Sequence, residues 1–268
     1  MGGKLAVLNQ PFELVIIFGS AIMAYLVANS VHTVKQSLTD LKQIYKKDKY
    51  GKDEYMELLS MMYSVFKMAR TKGWLALENH IENPEDSEIF QQFTTFYNDK
   101  RAVTFVCDYL RIISLGSENP HELEALMDAE LETMEQEKMH TAHAIQTMAD
   151  GMPALGIVAA VLGVIKTMGS ITEPPEILGK LIGGALVGTF LGVWLSYGFI
   201  GPMANAVAER NQAELKYYHC IKVCILAFLQ GAAPQVAVEF GRKILLHDTQ
   251  PTFLEVEEAT QNVQLPKA

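Results

Sequence analysis

The side chains that could do chemistry are sparse in this chain, and they do not converge. Cys220 and Cys224 stand four apart beside His219, a spacing that would make half of a metal site on one helix face, yet no second half accompanies them. His140 and His143, three apart, could form a pH-responsive feature, and the same spacing suits a solvated helix face equally. No Ser/His/Asp arrangement, no glycine-rich phosphate loop ahead of a helix and no paired ligand spacing occurs, so catalysis has no seat in the sequence. The three cysteines, Cys107 included, are too few for a disulfide framework and fit a compartment in which thiols stay reduced. Lys166 is the one charge well inside an apolar stretch. A long stem lets it snorkel to an interface, and a gate or counter-ion role is the other use of such a lysine.

The elements that must carry these residues are set by hydropathy. Three apolar stretches, residues 11–31, 151–170 and 181–203, each have about the twenty residues a helix needs to cross roughly 30 Å of hydrocarbon, at about 1.5 Å per residue. Together they contain a single carboxylate, Glu13, near an end. If such a protein moves ions, a partner must supply the titratable group. The charged remainder is segregated from these stretches, unlike the periodic mixing of a soluble core.

Formal net charge is −9, which disfavours nucleic acid, because a binder needs a basic face to displace counterions from phosphates. Acidity is densest at residues 121–137, where Glu122, Glu124, Asp128, Glu130, Glu132, Glu135 and Glu137 could form a solvated helix face or an electrostatic contact surface. Basic residues set the orientation. Residues 34–150 hold thirteen Lys and Arg and the segment after Met203 holds six, whereas residues 171–179 hold none. The positive-inside rule places the middle block and the tail in the cytoplasm, and the turn with Glu173, Pro174, Pro175 and Glu176 outside.

The expected fold is all-α: a polytopic helical inner-membrane protein with a large helical cytoplasmic domain and long helices running from cytoplasm into membrane. The divisions are a first transmembrane helix at 1–33, a cytoplasmic helical domain at 34–150, two transmembrane helices with a short periplasmic turn at 151–204, and a cytoplasmic tail at 205–268. In the middle block, 38–44, 55–68 and 103–115 show helical apolar spacing. One long helix should start near His121 and continue into the membrane, and the last membrane helix should extend to about Leu229, followed by a break, a short helix and a loose end. Gly184, Gly188, Gly192 and Ser196 recur every four residues, and Gly156, Ala159, Ala160 and Gly163 line the preceding span. Such small-residue stripes permit close backbone approach where lipid gives no hydrophobic drive. The two helices are expected to pack on each other, and could line a shared assembly axis as well.

Longer motifs are more specific. Gln10-Pro11-Phe12-Glu13-Leu14-Val15-Ile16-Ile17, Ile81-Glu82-Asn83-Pro84 with Ser87-Glu88-Ile89-Phe90, Glu124-Ala125-Leu126-Met127-Asp128, Pro153-Ala154-Leu155-Gly156-Ile157-Val158-Ala159-Ala160-Val161, Val187-Gly188-Thr189-Phe190-Leu191-Gly192, Tyr197-Gly198-Phe199-Ile200-Gly201-Pro202 and Val238-Glu239-Phe240-Gly241-Arg242-Lys243 follow one another in order. Together they resemble the flagellar motor stator subunits of the proton-driven MotA family, over essentially the whole chain. The resemblance implies several copies in a ring, a pentamer, around the membrane helices of a MotB dimer whose Asp carries the proton. Ion flow would then drive torque on the rotor protein FliG, with no cofactor beyond the transported H+. It also implies roles by position: Pro153 and Pro202 in coupling, Thr189 and Ala160 facing the ion path, and Arg70 and Glu78 contacting the rotor.

Each role has a plainer alternative on the residues alone. Pro153 could be a first-turn proline after Asp150, or a kink in a continuous helix. Pro202 beside Gly201 removes a backbone donor and makes a plausible hinge. The Thr189 hydroxyl could bond its own helix, or organise water beside a partner carboxylate. Arg70 and Glu78, eight apart, would share a helix face if the segment stayed helical, but Gly73 intervenes. Members of the family this chain resembles usually have a membrane helix before the Gln-Pro segment, so about twenty residues ahead of Met1 are expected from a misassigned start or a shortened chain, with a natural three-helix variant as the alternative. The competing readings are the related ExbB/TolQ class, which energises outer-membrane processes and shares a three-span layout, and a membrane-anchored enzyme or receptor.

Overall fold

The computed structural model describes residues 8–116 and 119–263, and the regular elements among them are all helical. Its compact units are two: the described residues up to Lys47 with Gln136–Asn211, and Asp48–Glu135 with the described residues from Gln212 on.

The first unit opens with α1 (Pro11–Ala28), whose N1 proline supplies the helical φ and lacks only a donor that would have had no partner. The chain leaves the helical region at Asn29 and Ser30, and Ser30 Oγ accepts the Thr33 N–H to start α2 (Val31–Gln43). Helix α8 (Pro120–Gly169) runs fifty residues through Pro153, and residues 136–169 of it belong to this unit. After a short turn α9 (Pro175–Leu195) follows, then one π turn, Ser196–Ile200, and α10 (Gly201–Leu229), which contributes residues 201–211 here. Among the described residues three helical stretches are long and apolar enough to cross a membrane, and most of each apolar window stays uncovered by the rest of the described chain. Ile17 and Ala21 of α1, Met152 and Ala159 of α8 and Val187 and Leu191 of α9 form the small buried core.

The second unit is built on α3 (Lys52–Lys72), which buries Leu58, Leu59, Met61, Met62, Val65 and Phe66. A 3₁₀ turn, Trp74–Leu77, leads to the short helices α4 (Glu78–Glu82), α5 (Glu88–Gln91) and α6 (Thr94–Asn98), and to α7 (Lys100–Ser114). Helices α11 (Pro234–Lys243) and α12 (Phe253–Gln261) close the core against α3. Aromatic stacking ties α10 in: Phe66 lies on Phe228 with centroids 4.5 Å apart, and Tyr50 on Tyr217 at 3.9 Å.

One sequence expectation needs correction. The end of the chain is not loose up to Gln261, because Thr252 and Glu255 make a reciprocal capping box and α12 buries Val256 and Thr260. Gly73, at φ +82°, ends α3, so Arg70 and Glu78 do not share one helix face.

Candidate functional site

The small-residue stripes bring α8 and α9 into backbone contact. A Cβ on Gly156 would lie 2.8 Å from the Gly188 carbonyl oxygen and 3.0 Å from Gly192 Cα, and one on Gly192 would lie 2.7 Å from the Met152 carbonyl oxygen. Nothing larger than glycine fits at those two positions without moving backbone. Gly188 is nearly as tight, with Ala160 N at 3.2 Å. Gly184, on the same stripe, meets a different neighbour, the Gln10 side chain at 3.1 Å. Helix α9 therefore uses one stripe for both α8 and the start of α1.

Ala160 and Thr189 flank this seam, and both are half-buried. Among the described residues the Thr189 hydroxyl makes no hydrogen bond, whereas Thr167 donates to the Gly163 carbonyl at 2.8 Å. The local bond open to a helical threonine is not used, which leaves Thr189 free to meet a group from outside the chain.

Pro153 lies inside α8, thirty-three residues after Pro120, so it interrupts a helix and does not start one. It cannot donate to the Ala149 carbonyl, a turn below the contact of Met152 with Gly192. Pro202 sits at the other break. In a regular helix its ring would clash with the carbonyl four residues back, and the π turn immediately before it removes that register: the Gly201 N–H donates to Ser196, five residues back. A Cβ on Gly201 would lie 3.0 Å from that same Ser196 oxygen, so glycine permits the turn. The Ser196 hydroxyl is buried and has no hydrogen-bond partner among the described residues. Gly201-Pro202 was legible as a break in regular helix; the π turn was not, because i→i+5 bonding has no residue signature of its own.

In the second unit Arg70 and Glu78 are both exposed. Arg70 Nη1 is 3.4 Å from the carbonyls of Gly231 and Ala232, where α10 ends in a Schellman turn: Gly231 has φ +93°, its N–H donates to Phe228 and that of Ala232 to Ala227. A guanidinium at a helix C-terminus is favourably placed in the dipole field. Glu78 starts α4, its N–H donates to the Leu75 carbonyl, and its carboxylate makes no hydrogen bond or ion pair among the described residues. His80 Nδ1 is 3.0 Å from Ser87 Oγ, and burial lowers its pKa, with Lys72 adding to the effect against Glu88. Asp99 N-caps α7 and receives Lys49 at 2.8 Å and the Tyr50 hydroxyl. Burial opposes its charge, yet these donors hold its carboxyl below the ordinary range.

The other chemical candidates are structural. Cys220 and Cys224 are buried against Gly241, the hydrogen bond with Cys224 and then burial push the Cys220 thiol up, and no group of three metal-ligating side chains occurs among the described residues. Within the acidic run, Asp128 receives Lys222 and Glu130 receives the Tyr109 hydroxyl at 2.6 Å. His140 and His143 are exposed along an open groove between α8 and α10.

Residues 1–73 match the family model described as Motility protein A N-terminal, and residues 100–219 match that of the MotA/TolQ/ExbB proton channel family. Over 266 residues the chain is 43 % identical to Motility protein A of Escherichia coli (strain K12), covering 99 % of this chain and 90 % of that one. The chain belongs to the MotA family. Chemotaxis protein LafT of Vibrio parahaemolyticus is 33 % identical over 257 residues, 96 % of this chain and 90 % of its own length. Among solved structures, the flagellar MotAB stator complex of Bacillus subtilis matches with a TM-score of 0.64 at 26 % identity, over 92 % of this chain and 87 % of that one. Campylobacter jejuni MotAB shares the fold, with a TM-score of 0.72 at 21 % identity over 92 % and 88 %. As a MotA-family member with three candidate spans, this is an all-α membrane protein of the flagellar stator type.

Proposed function

We infer that this chain is the channel subunit of a flagellar stator, which with a MotB partner couples proton flow across the bacterial inner membrane to torque on the rotor. The observation that carries this reading is the 43 % identity to Motility protein A along 99 % of the chain. The spans support it chemically. Their apolar windows hold Glu13 as the single carboxylate, so a proton relay at mid-membrane requires an acid from a partner.

Each residue role follows from what its neighbours allow. Thr189, with an unused hydroxyl, and Ala160 beside it would face the partner's acid, one supplying a hydrogen bond and the other space. Pro153 interrupts the bonding ladder of α8, which packs on α9 through glycine, and Pro202 opens α10 just past the π turn that ends α9, so small rotations there would be cheap and would be transmitted along α8 and α10. Arg70 and Glu78, exposed and opposite in sign, suit reversible contact with a charged surface on the rotor protein FliG. A ring of five copies, with its outer surface in lipid, would cover the apolar faces that the chain leaves open. The soluble elements lie in the cytoplasm on this reading, as the distribution of Lys and Arg requires. The role is transport and mechanical coupling, without covalent catalysis.

The test is complementation. Expressed with its cognate partner in a strain deleted for its own stator channel subunit, the chain should restore swimming. An inserted chain that leaves such cells non-motile but restores siderophore-dependent uptake in a strain lacking ExbB would assign it to the sister branch.

A further inference from the structure

The fully buried positions of helix α2 are polar and its most exposed positions are apolar. Thr33, Ser37 and Asp40 are 6 %, 3 % and 7 % exposed, beside a partly buried Leu41 that packs on Ala142 and Ile145, and Val31, Leu38 and Tyr45 are 72 %, 56 % and 81 % exposed. The inward residues are tied down. Tyr25 of α1 donates to Ser37 at 2.7 Å, Thr141 of α8 donates to Asp40 at 2.6 Å, and Arg210 of α10 donates to the Gln43 and Lys46 carbonyls at the helix end. Twelve residues of straight helix would separate Tyr25 from Ser37 by about 18 Å, so the chain turns at Asn29–Ser30, directly below the first span.

Val31 and Leu38, seven residues apart, lie on one stripe with only about 20° of drift, and the exposed Tyr45 follows two residues past the end of the helix. Lys35, Lys42 and Lys46, all exposed, border that stripe on one side. Beyond the lysines on the same side come the exposed His32, Gln36 and Thr39, and the opposite side of the stripe turns inward through Val34, Leu41 and Ser37. A strip of apolar side chains edged by lysines is the pattern of a helix lying at a lipid interface, where ammonium groups snorkel to headgroup phosphates.

We propose that this flank of α2 binds anionic phospholipid headgroups of the membrane the chain itself crosses, with Val31, Leu38 and Tyr45 in the acyl boundary and the three lysines on phosphates. The occupant follows from charge and from continuity, since α1 is a candidate span that ends at Ala28, three residues before α2 begins. The claim concerns lipid alone and does not depend on the chain driving a motor.

The full-length chain, purified in mild detergent, is equilibrated with micelles of phosphatidylglycerol and phosphatidylethanolamine, and the ratio it retains after washing is measured. The wild type should retain phosphatidylglycerol enriched several-fold over the bulk. Lys35→Gln, Lys42→Gln and Lys46→Gln combined should fall to the bulk ratio, and the corresponding triple arginine variant should keep the enrichment. No enrichment in the wild type, or none lost in the glutamine variant, overturns the proposal. Spin labels at Leu38→Cys and Thr39→Cys give a second reading in nanodiscs, because the native cysteines are buried. Position 38 should be relaxed by oxygen dissolved in lipid and position 39 by a water-soluble reagent. A label at 38 shielded from both would mean that protein covers this face, and would overturn the proposal as well.

Discussion

Single atoms decide the closest packing in this molecule. A methyl group at Gly192 meets the backbone of Met152 and Gly156, and backbone within a helix pair cannot retreat locally, so Gly192→Ala should cost about 1–3 kcal/mol and abolish swimming. Gly179→Ala, where a Cβ meets nothing within 4 Å, should leave thermal stability equal or slightly higher, and the comparison of the two melting curves checks the seam. Four-residue spacing made this stripe legible in the sequence. Gly241 was not legible in the same way, because its reason lies across the fold: a Cβ there would sit 2.2 Å from Cys224 Sγ. Gly241→Ala should destabilise, and Cys224→Ala in the same chain should recover part of the loss, giving a coupling of about 0.5–3 kcal/mol in a double-mutant cycle. Asp99 carries a pH signature. Its folded pKa is lower than in the unfolded chain, so its stabilisation is full above about pH 4 and is lost as pH falls through the folded value. Asp99→Asn should therefore melt lower by about 1.5–3 kcal/mol near neutrality, and the gap should close on acidification.

Elements show where periodicity is a sufficient guide and where it is not. The fifty-residue α8 was readable because its helix formers run without a breaker from His121 to Gly151, and the wider packing of the helix overrides the proline that follows. Residues 38–44 also had helical spacing, but the apolar face the spacing suggested as core is partly the outer one, with Leu38 exposed and Asp40 buried on Thr141. Spacing reports that a helix has two faces without saying which solvent each one meets. At the end of α9 the π turn and Pro202 form one device, since the proline needs the shifted register that the turn provides. Pro202→Leu should restore a donor, favour regular α bonding and stop rotation, with membrane insertion and cellular level unchanged. Wild-type swimming speed in that variant would remove the coupling role.

The molecule as a whole is two different kinds of packing on shared helices. The second unit has a conventional core of Leu, Met, Phe and Tyr, whose long-range partners, such as Phe66 with Phe228 and Lys52 with Glu255 at 2.7 Å, no local pattern could foretell. The first unit buries little of its apolar surface, and what it leaves open is the part of the fold most legible from hydropathy, because lipid, and not tertiary structure, dictates it. The positions proposed for the ion path were legible only through motif order, since a path made from Ala160, Thr189 and a partner's acid would contain no cluster of titratable groups within this chain. The most direct measurement is the rotation of tethered cells whose only stator is this chain with its MotB partner, in sodium-free and sodium-containing medium, before and after a protonophore. Rotation that is independent of sodium and stops with the protonophore is the expected result. Rotation that persists after the proton gradient collapses, or an inserted chain that turns no motor, would contradict the account.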